Sequence, residues 1–323
     1  MIKEKPVILV SRCLEHEACR YDGSMVKNKF INKLKSHIDF ITVCPEMEIG
    51  LSCPREVLRL IQPEEEILLV NSKTGEDFTY EMKKFSSDFI DDIKVKNING
   101  IILKSKSPSC GMKDVKLYKS HGKVPTLTRR ASGIFADNIL NEFNGLAIED
   151  EGRLMNFDIR EHFLTKVFVS FNFEKVAREK SVKSLIDFQS DYKYLLMAYS
   201  PSKQKEMGRI VANSTKETIE DDLKEYGKML SNALITKTTR NRNVNMLLHL
   251  LGYFSNDLSK EEKAFFLDAI EMYQSGKTPF SVPLAIIKLW VIRFKSEYLL
   301  RQKIFDIFPI DLVDTFDSGN TGF

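Results

Sequence analysis

Three of the five cysteines in this 323-residue chain share a setting. Cys13 follows the apolar run Val7-Ile8-Leu9-Val10-Ser11, and Cys44 follows Phe40-Ile41-Thr42-Val43. Cys110 follows Gly100-Ile101-Ile102-Leu103 through the loop Lys104-Ser105-Lys106-Ser107-Pro108-Ser109. Each run has the length and composition of a buried strand. In an open parallel sheet the C-terminal strand ends lie side by side, and ligands bind in the crevice outside them. That topology would gather on one rim three thiols far apart in the chain. No C-x-x-C pair occurs, which argues against a zinc ribbon or a thioredoxin-type redox pair, and the ferredoxin and C-x-x-x-C-x-x-C patterns are also missing. Three converging thiolates suit an iron–sulfur cluster held at three irons with the fourth left open. The plainer alternative is three small buried hydrophobes. Cys19, in the turn-like Cys19-Arg20-Tyr21-Asp22-Gly23, and Cys53, before Pro54-Arg55, read as structural residues or spare ligands.

The elements that must position these cysteines alternate through the first half. Residues 25–38 read as an amphipathic helix bearing Phe30, Ile31 and Leu34, and 81–96 as another. Ile67–Val70 and Asp77–Tyr80, separated by Lys73-Thr74-Gly75-Glu76, read as a hairpin. The alternation predicts a Rossmann-like parallel sheet with helices on both faces over residues 1–150. Residues 151–180 read as a connecting segment. Residues 181–312 carry only helical periods, punctuated by Pro201, Gly252, Gly276, Pro279 and Pro309, and predict an all-α accessory domain. Tyr192, Tyr194, Tyr199, Phe254, Phe265 and Phe266 recur there at helical spacing and read as core. A disordered tail is expected over 313–323.

Composition narrows the class. With 43% apolar and 29% charged residues, 15 Gly and 10 Pro, the chain is neither disordered nor collagen-like. No apolar run reaches the roughly 18 residues a membrane span needs. The first residues lack the pattern of a signal peptide, so the expectation is a cytoplasmic protein. A net charge of +3 does not by itself indicate a nucleic-acid partner. Between Leu103 and Phe135, however, eight basic residues face only Asp114, among them Lys113, Lys116, Arg129 and Arg130. Arg240 and Arg242 lie in an acid-free run from Ser231 to Ser255. Both stretches are candidate RNA contacts, against the alternative of ordinary solvated faces.

Six short motifs carry a resemblance. Ser11-Arg12-Cys13-Leu14, Arg20-Tyr21-Asp22-Gly23, Cys44-Pro45-Glu46, Gly50-Leu51, Pro54-Arg55 and Lys104 through Gly111 together resemble the thiouracil desulfidase (TudS) family over about residues 5–150. Gly208-Arg209-Ile210-Val211-Ala212, Asn243 through His249 and Gly252-Tyr253-Phe254 resemble the helical domain that follows it in the two-domain tRNA 4-thiouridine desulfidases (RudS), as does the joining stretch from Glu151 to Leu164. One departure is Tyr192-Lys193, where that domain usually opens on His-Lys. The resemblance implies a [4Fe-4S] cluster on Cys13, Cys44 and Cys110, and replacement of C=S by C=O in a thiolated uracil with release of hydrosulfide. It assigns catalysis to Glu46 and Ser107. Arg20, Tyr21, Lys104, Ser105 and Ser109 are candidate substrate contacts. The implied substrate is 4-thiouridine in tRNA. The alternatives are free thiouracil or its nucleotides, or a non-catalytic cluster-containing RNA-binding module.

Overall fold

The computed structural model describes residues 4–313, so the expected tail lies, from residue 314 on, outside the described residues. The chain divides into two compact units, one up to Phe168 and one from Val169 to Ile310, with Asp311 and the described residues after it grouping with the first.

The first unit runs β1 (Val7–Ser11), α1 (Lys29–Leu34), β2 (Asp39–Val43), α2 (Pro45–Glu48), β3 (Leu58–Ile61), β4 (Leu68–Asn71), α3 (Thr79–Lys94), β5 (Gly100–Leu103), β6 (Val115–Tyr118), β7 (Thr126–Ala131), α4 (Ile134–Glu142) and β8 (Ala147–Asp150). It closes with the first half of α5 (Phe157–Glu179). A four-stranded sheet has the order β2-β1-β5-β8, and every neighbouring pair is parallel. Strand alternation divides its side chains between two faces. Leu9, Ile101 and Leu103 join Met82, Ile90 and Ile93 of α3 and Phe135 and Ile139 of α4 in one core. On the opposite face Gly100 lets α5 approach, since a Cβ there would sit 2.8 Å from Val167 Cγ2. Helices therefore cover both faces of a parallel sheet, as the alternating pattern predicts.

A second sheet, β4-β3-β6-β7, is mixed, and of its strands only β4 is legible in the sequence. Its Leu58, Leu60, Leu69, Val115 and Leu117 enter the same core. Here the expected hairpin is corrected. β4 pairs antiparallel with β3, and the Asp77–Tyr80 run keeps a single bridge from Asp77 to Val70. Asp77 Oδ1 accepts from Thr79 N at 2.8 Å, and Thr79 Oγ1 accepts from Leu69 N at 2.8 Å. These side-chain bonds turn the backbone into α3, overriding the β-propensity of Phe78-Thr79-Tyr80. The helix expected over 25–38 shrinks to α1, because Asn28 accepts from Ile31 N at 3.0 Å and caps it there.

The second unit contains the rest of α5, then α6 (Val182–Asp191), α7 (Lys193–Tyr199), α8 (Pro201–Asn213), α9 (Ile219–Ala233), α10 (Arg240–Leu251), α11 (Lys260–Gln274), α12 (Ser281–Arg293) and α13 (Glu297–Leu300). Its starts are marked locally, by Pro201 at the head of α8 and by a Ser259–Glu262 capping box at α11. Tyr192, Tyr194, Tyr199, Phe254 and Phe266 are core residues, whereas Phe265 is 66% exposed. Among the described residues no helix is long and apolar enough to cross a membrane.

Candidate metal centre and active site

Strand order brings the three cysteine loops to neighbouring positions. β2, β1 and β5 are adjacent, and the order reverses between β1 and β5, where an open sheet leaves a crevice beyond its C-terminal ends. Cross-strand bonds tie those ends together: Arg12 N donates to Val43 O at 2.8 Å, and Lys104 N to Ser11 Oγ at 2.9 Å. Cys44 is the residue immediately before α2, with Pro45 in its first turn. Cys13 lies in the turn after β1, where its carbonyl accepts from Val26 N at 2.8 Å.

The Cys110 loop is shaped by its serines and glycines. Ser107 Oγ accepts from Ser109 N at 3.2 Å and from Cys110 N at 3.1 Å. The carbonyls of Pro108 and Ser109 accept from Ile134 N (3.2 Å) and Ala136 N (3.0 Å), satisfying amides that the start of α4 would otherwise leave unpaired. The approach needs Gly133, where a Cβ would lie 2.5 Å from the Ser109 carbonyl.

All five cysteines are free thiols. Cys44 and Cys110 are buried and Cys13 is half-buried. Cys19, read as a structural residue or a spare ligand, lies beside both Cys13 and Cys44, and Cys44 Sγ approaches its carbonyl at 3.8 Å. The Cys13 thiol, followed by burial, pushes the Cys19 pKa up to about 11, although the Cys44 thiol pulls it back. The contact with Cys19, then burial, raises Cys44, and burial raises Cys110 although the hydroxyls of Ser11 and Ser107 pull it back. Cys53 Sγ donates to the carbonyls of Ala18 (3.3 Å) and Arg20 (3.2 Å), holding the backbone on either side of Cys19.

Among the described residues no three His, Cys, Asp or Glu side chains converge to hold a single metal ion. A cuboidal cluster is larger than one ion and takes each thiolate on a separate iron, so its ligands ring it rather than meet at a point. The donor set fits such a group: sulfur ligands suit iron–sulfur chemistry, and buried thiols cannot ionise without a compensating cation.

Glu46 projects from α2 into a tight polar clamp. Arg55 Nε and Nη2 reach its Oε2 at 2.8 and 2.7 Å, and Ser109 Oγ donates to its Oε1 at 2.9 Å. The side chains are 7% (Arg55) and 12% (Glu46) exposed. Arg55 Nη1 also donates to the carbonyls of Cys19 (3.1 Å) and Ser52 (3.2 Å). Burial opposes the guanidinium charge, but Glu46 and the neighbouring thiols raise the Arg55 pKa above its ordinary value. A carboxylate held at both oxygens, two residues from Cys44, is placed for proton transfer.

The other candidates are distributed unevenly. Ser109 is wholly buried and serves Glu46 rather than the open crevice. Lys104 Nζ pairs with Glu151, whose oxygens also accept from Ser105 N and Ser105 Oγ, both at 2.7 Å. Lys104 and Ser105 are thus already engaged by a buried carboxylate that sequence reasoning did not single out. The only signal for it was the acidic run Glu149-Asp150-Glu151 at a strand end. Arg20 Nη1 donates to Ser24 Oγ at 2.8 Å and pairs with Asp22, while Tyr21 is 40% exposed. Lys113, Lys116, Arg129 and Arg130 are exposed on or beside β6 and β7, with Lys116 directly opposite Arg130. In the second unit Arg240 is exposed, whereas half-buried Arg242 donates to Tyr199 O at 2.8 Å.

Known proteins resemble this chain in two parts. The family model for 2-thiouracil desulfurase matches residues 8–151, and that of a protein family of unknown function, DUF1722, matches residues 193–309. The Bacillus subtilis (strain 168) protein YbbK is 36% identical over 110 residues, covering 32% of this chain and 73% of that protein. The Escherichia coli (strain K12) protein YbgA is 25% identical over 127 residues, covering 39% and 75%. A solved structure of the [4Fe-4S]-dependent thiouracil desulfidase TudS aligns at 25% identity with a TM-score of 0.37, covering 46% of this chain and 93% of that one. The chain, with its cysteine-bearing unit matched from strand β1 to the residue after β8, belongs to the 2-thiouracil desulfurase family.

Proposed function

We propose that this protein is an iron–sulfur-dependent desulfidase that converts 4-thiouridine in tRNA to uridine. Water supplies the oxygen, C=S becomes C=O, and hydrosulfide leaves with a proton released. The observation that carries this reading is the cysteine loops at the ends of three adjacent parallel strands, in a chain of the 2-thiouracil desulfurase family. Cys13, Cys44 and Cys110 would hold the [4Fe-4S] cluster. When bound, it supplies a thiophilic Lewis acid that draws electron density from the carbon bearing the sulfur. Glu46 takes the proton from the attacking water, its carboxylate aimed by Arg55 and Ser109. Ser107 keeps the Cys110 loop in its turn by accepting from the Ser109 and Cys110 amides, which fixes the Cys110 ligand. The tRNA part of the reading is supported by the exposed cations of β6 and β7. Lys116 opposite Arg130 is a repulsive pair that a phosphate between them would relieve.

A second reading, desulfuration of free thiouracil or a thiouridine nucleotide, is favoured by one observation. Every residue of the Glu46 clamp and every cysteine lies in the first unit. One experiment separates the two. Anaerobically reconstituted protein is given thiolated tRNA or free thiouracil, and loss of thiocarbonyl absorbance is followed with sulfide release. Turnover of tRNA supports the proposal, and turnover of thiouracil alone supports the second reading. Sulfide from neither overturns both.

A further inference from the structure

Cys19 is a fourth thiol of the site, and nothing in the proposed reaction uses it. Its backbone is fixed from three directions: Cys53 Sγ bonds the carbonyls before and after it, Arg55 Nη1 bonds its own carbonyl at 3.1 Å, and Cys44 Sγ approaches that carbonyl at 3.8 Å. So held, its side chain lies beside Cys13 and Cys44 while being 1% exposed. A buried apolar cysteine needs no such scaffold. Ligands on separate irons of a cluster also do not need a neighbour in contact with two of them.

We propose that Cys19 is a resolving thiol that forms a reversible disulfide with Cys44 when the site is without its cluster. Cys44 is the favoured partner because its sulfur already approaches the Cys19 backbone, 3.8 Å from the carbonyl oxygen. The oxidant is a peroxide. One thiol attacks the peroxide oxygen, giving a sulfenic acid and water (alcohol for an organic peroxide). The second thiol then displaces the sulfenic oxygen as water, forming the S–S bond. Two electrons pass from the sulfur pair to the peroxide, and the two thiol protons end in the water formed. The disulfide holds a ligand cysteine at an oxidation level that a dithiol reverses, short of sulfinic acid, which it does not. This inference rests on Cys44 being a cluster ligand only for its purpose, since the disulfide itself is read directly.

The test uses the full-length protein in two forms, anaerobically reconstituted and stripped of iron with a chelator. Each is exposed to hydrogen peroxide, alkylated, and digested without reductant for mass spectrometry. The stripped protein should yield a peptide pair joining Cys19 to Cys44, lighter by two hydrogens, and the reconstituted protein should not. After dithiothreitol the stripped protein should reload iron to its original content. Cys19→Ser should give no joined pair, show Cys44 as sulfinic acid, and lose reloading after the same exposure. Cys53→Ser, a control for cysteine removal, should still form the pair. Cys19 left alkylatable in the peroxide-treated stripped protein, or Cys44 joined to another cysteine, overturns the inference. A chain that never takes up iron but still forms the pair overturns the cluster reading and leaves the disulfide standing.

Discussion

Removing the Arg55 guanidinium should unlock the first unit. In Arg55→Met a carboxylate that is 12% exposed loses both short bonds to its counter-ion, and the carbonyls of Cys19 and Ser52 lose a donor. Breaking one side of a buried ion pair costs about 3–5 kcal/mol. At 1.36 kcal/mol per decade, that is a fall of about 2.2 to 3.7 powers of ten in the protection of core amides. The lone tryptophan, Trp290, lies in the second unit, so its fluorescence reports on that unit and serves as an internal control. The assay is hydrogen exchange by mass spectrometry on peptides covering Val7–Ser11 and Gly100–Leu103, with Trp290 unfolding followed in parallel. Glu46→Leu alone should cost a similar amount, because it strands the guanidinium. The double variant, with neither charge left, should lose far less than the two together. Additive losses would refute the claim that these two side chains stabilise each other, and so would undiminished protection in Arg55→Met.

Gly133→Ala forces a Cβ to within 2.5 Å of the Ser109 carbonyl, so it should destabilise the first unit by about 1–3 kcal/mol, read in the same peptides. Serine in place of Cys13, Cys44 or Cys110 should abolish cluster assembly, and Cys53→Ser should not, as judged by anaerobic iron and acid-labile sulfide. Neutralising Lys113, Lys116, Arg129 and Arg130 should weaken tRNA binding and reduce the logarithmic salt slope by about one for each phosphate left without its cation, leaving thiouracil turnover unchanged. Glu161 has a pKa raised by burial and by Asp158, so between the unfolded and folded pKa the folded form binds more protons, and stability contributed there is lost as pH rises through the raised pKa. Glu161→Gln should therefore raise the thermal midpoint at neutral pH, and the gain should vanish once acid protonates the unfolded carboxylate as well.

What the sequence revealed follows the strength of its local signals. The strands preceding Cys13, Cys44 and Cys110 are short apolar runs with no competing pattern, and they form as expected. In the second unit α8, α10 and α11 keep an apolar face and start at Pro, Thr and Ser signals. β3 and β6 were not legible because each is four residues with a polar interruption, and β7 because it is largely exposed, so pairing rather than propensity defines them. Asp77–Tyr80 misled because two side-chain bonds outweighed β-branched composition. At the site, the pairing of Arg55 with Glu46 joins two motifs that the sequence shows only as separate short runs. The partners of Cys19 and Glu151 depend on loops meeting across the sheet, and no spacing in the chain encodes them.

The bond from Glu151 to Lys104 bears on where this protein can be cut. A fragment ending at Asp150 would keep all eight strands yet strand an ammonium beside the Cys110 loop and leave the Ser105 amide without its acceptor. It would also bare the sheet surface around Gly100 that Phe163 and Val167 cover. The smallest autonomous piece is therefore longer than its β-structure suggests. Its C-terminal limit falls inside a continuous helix, near Phe168, where one structural body hands over to the next without a loop between them.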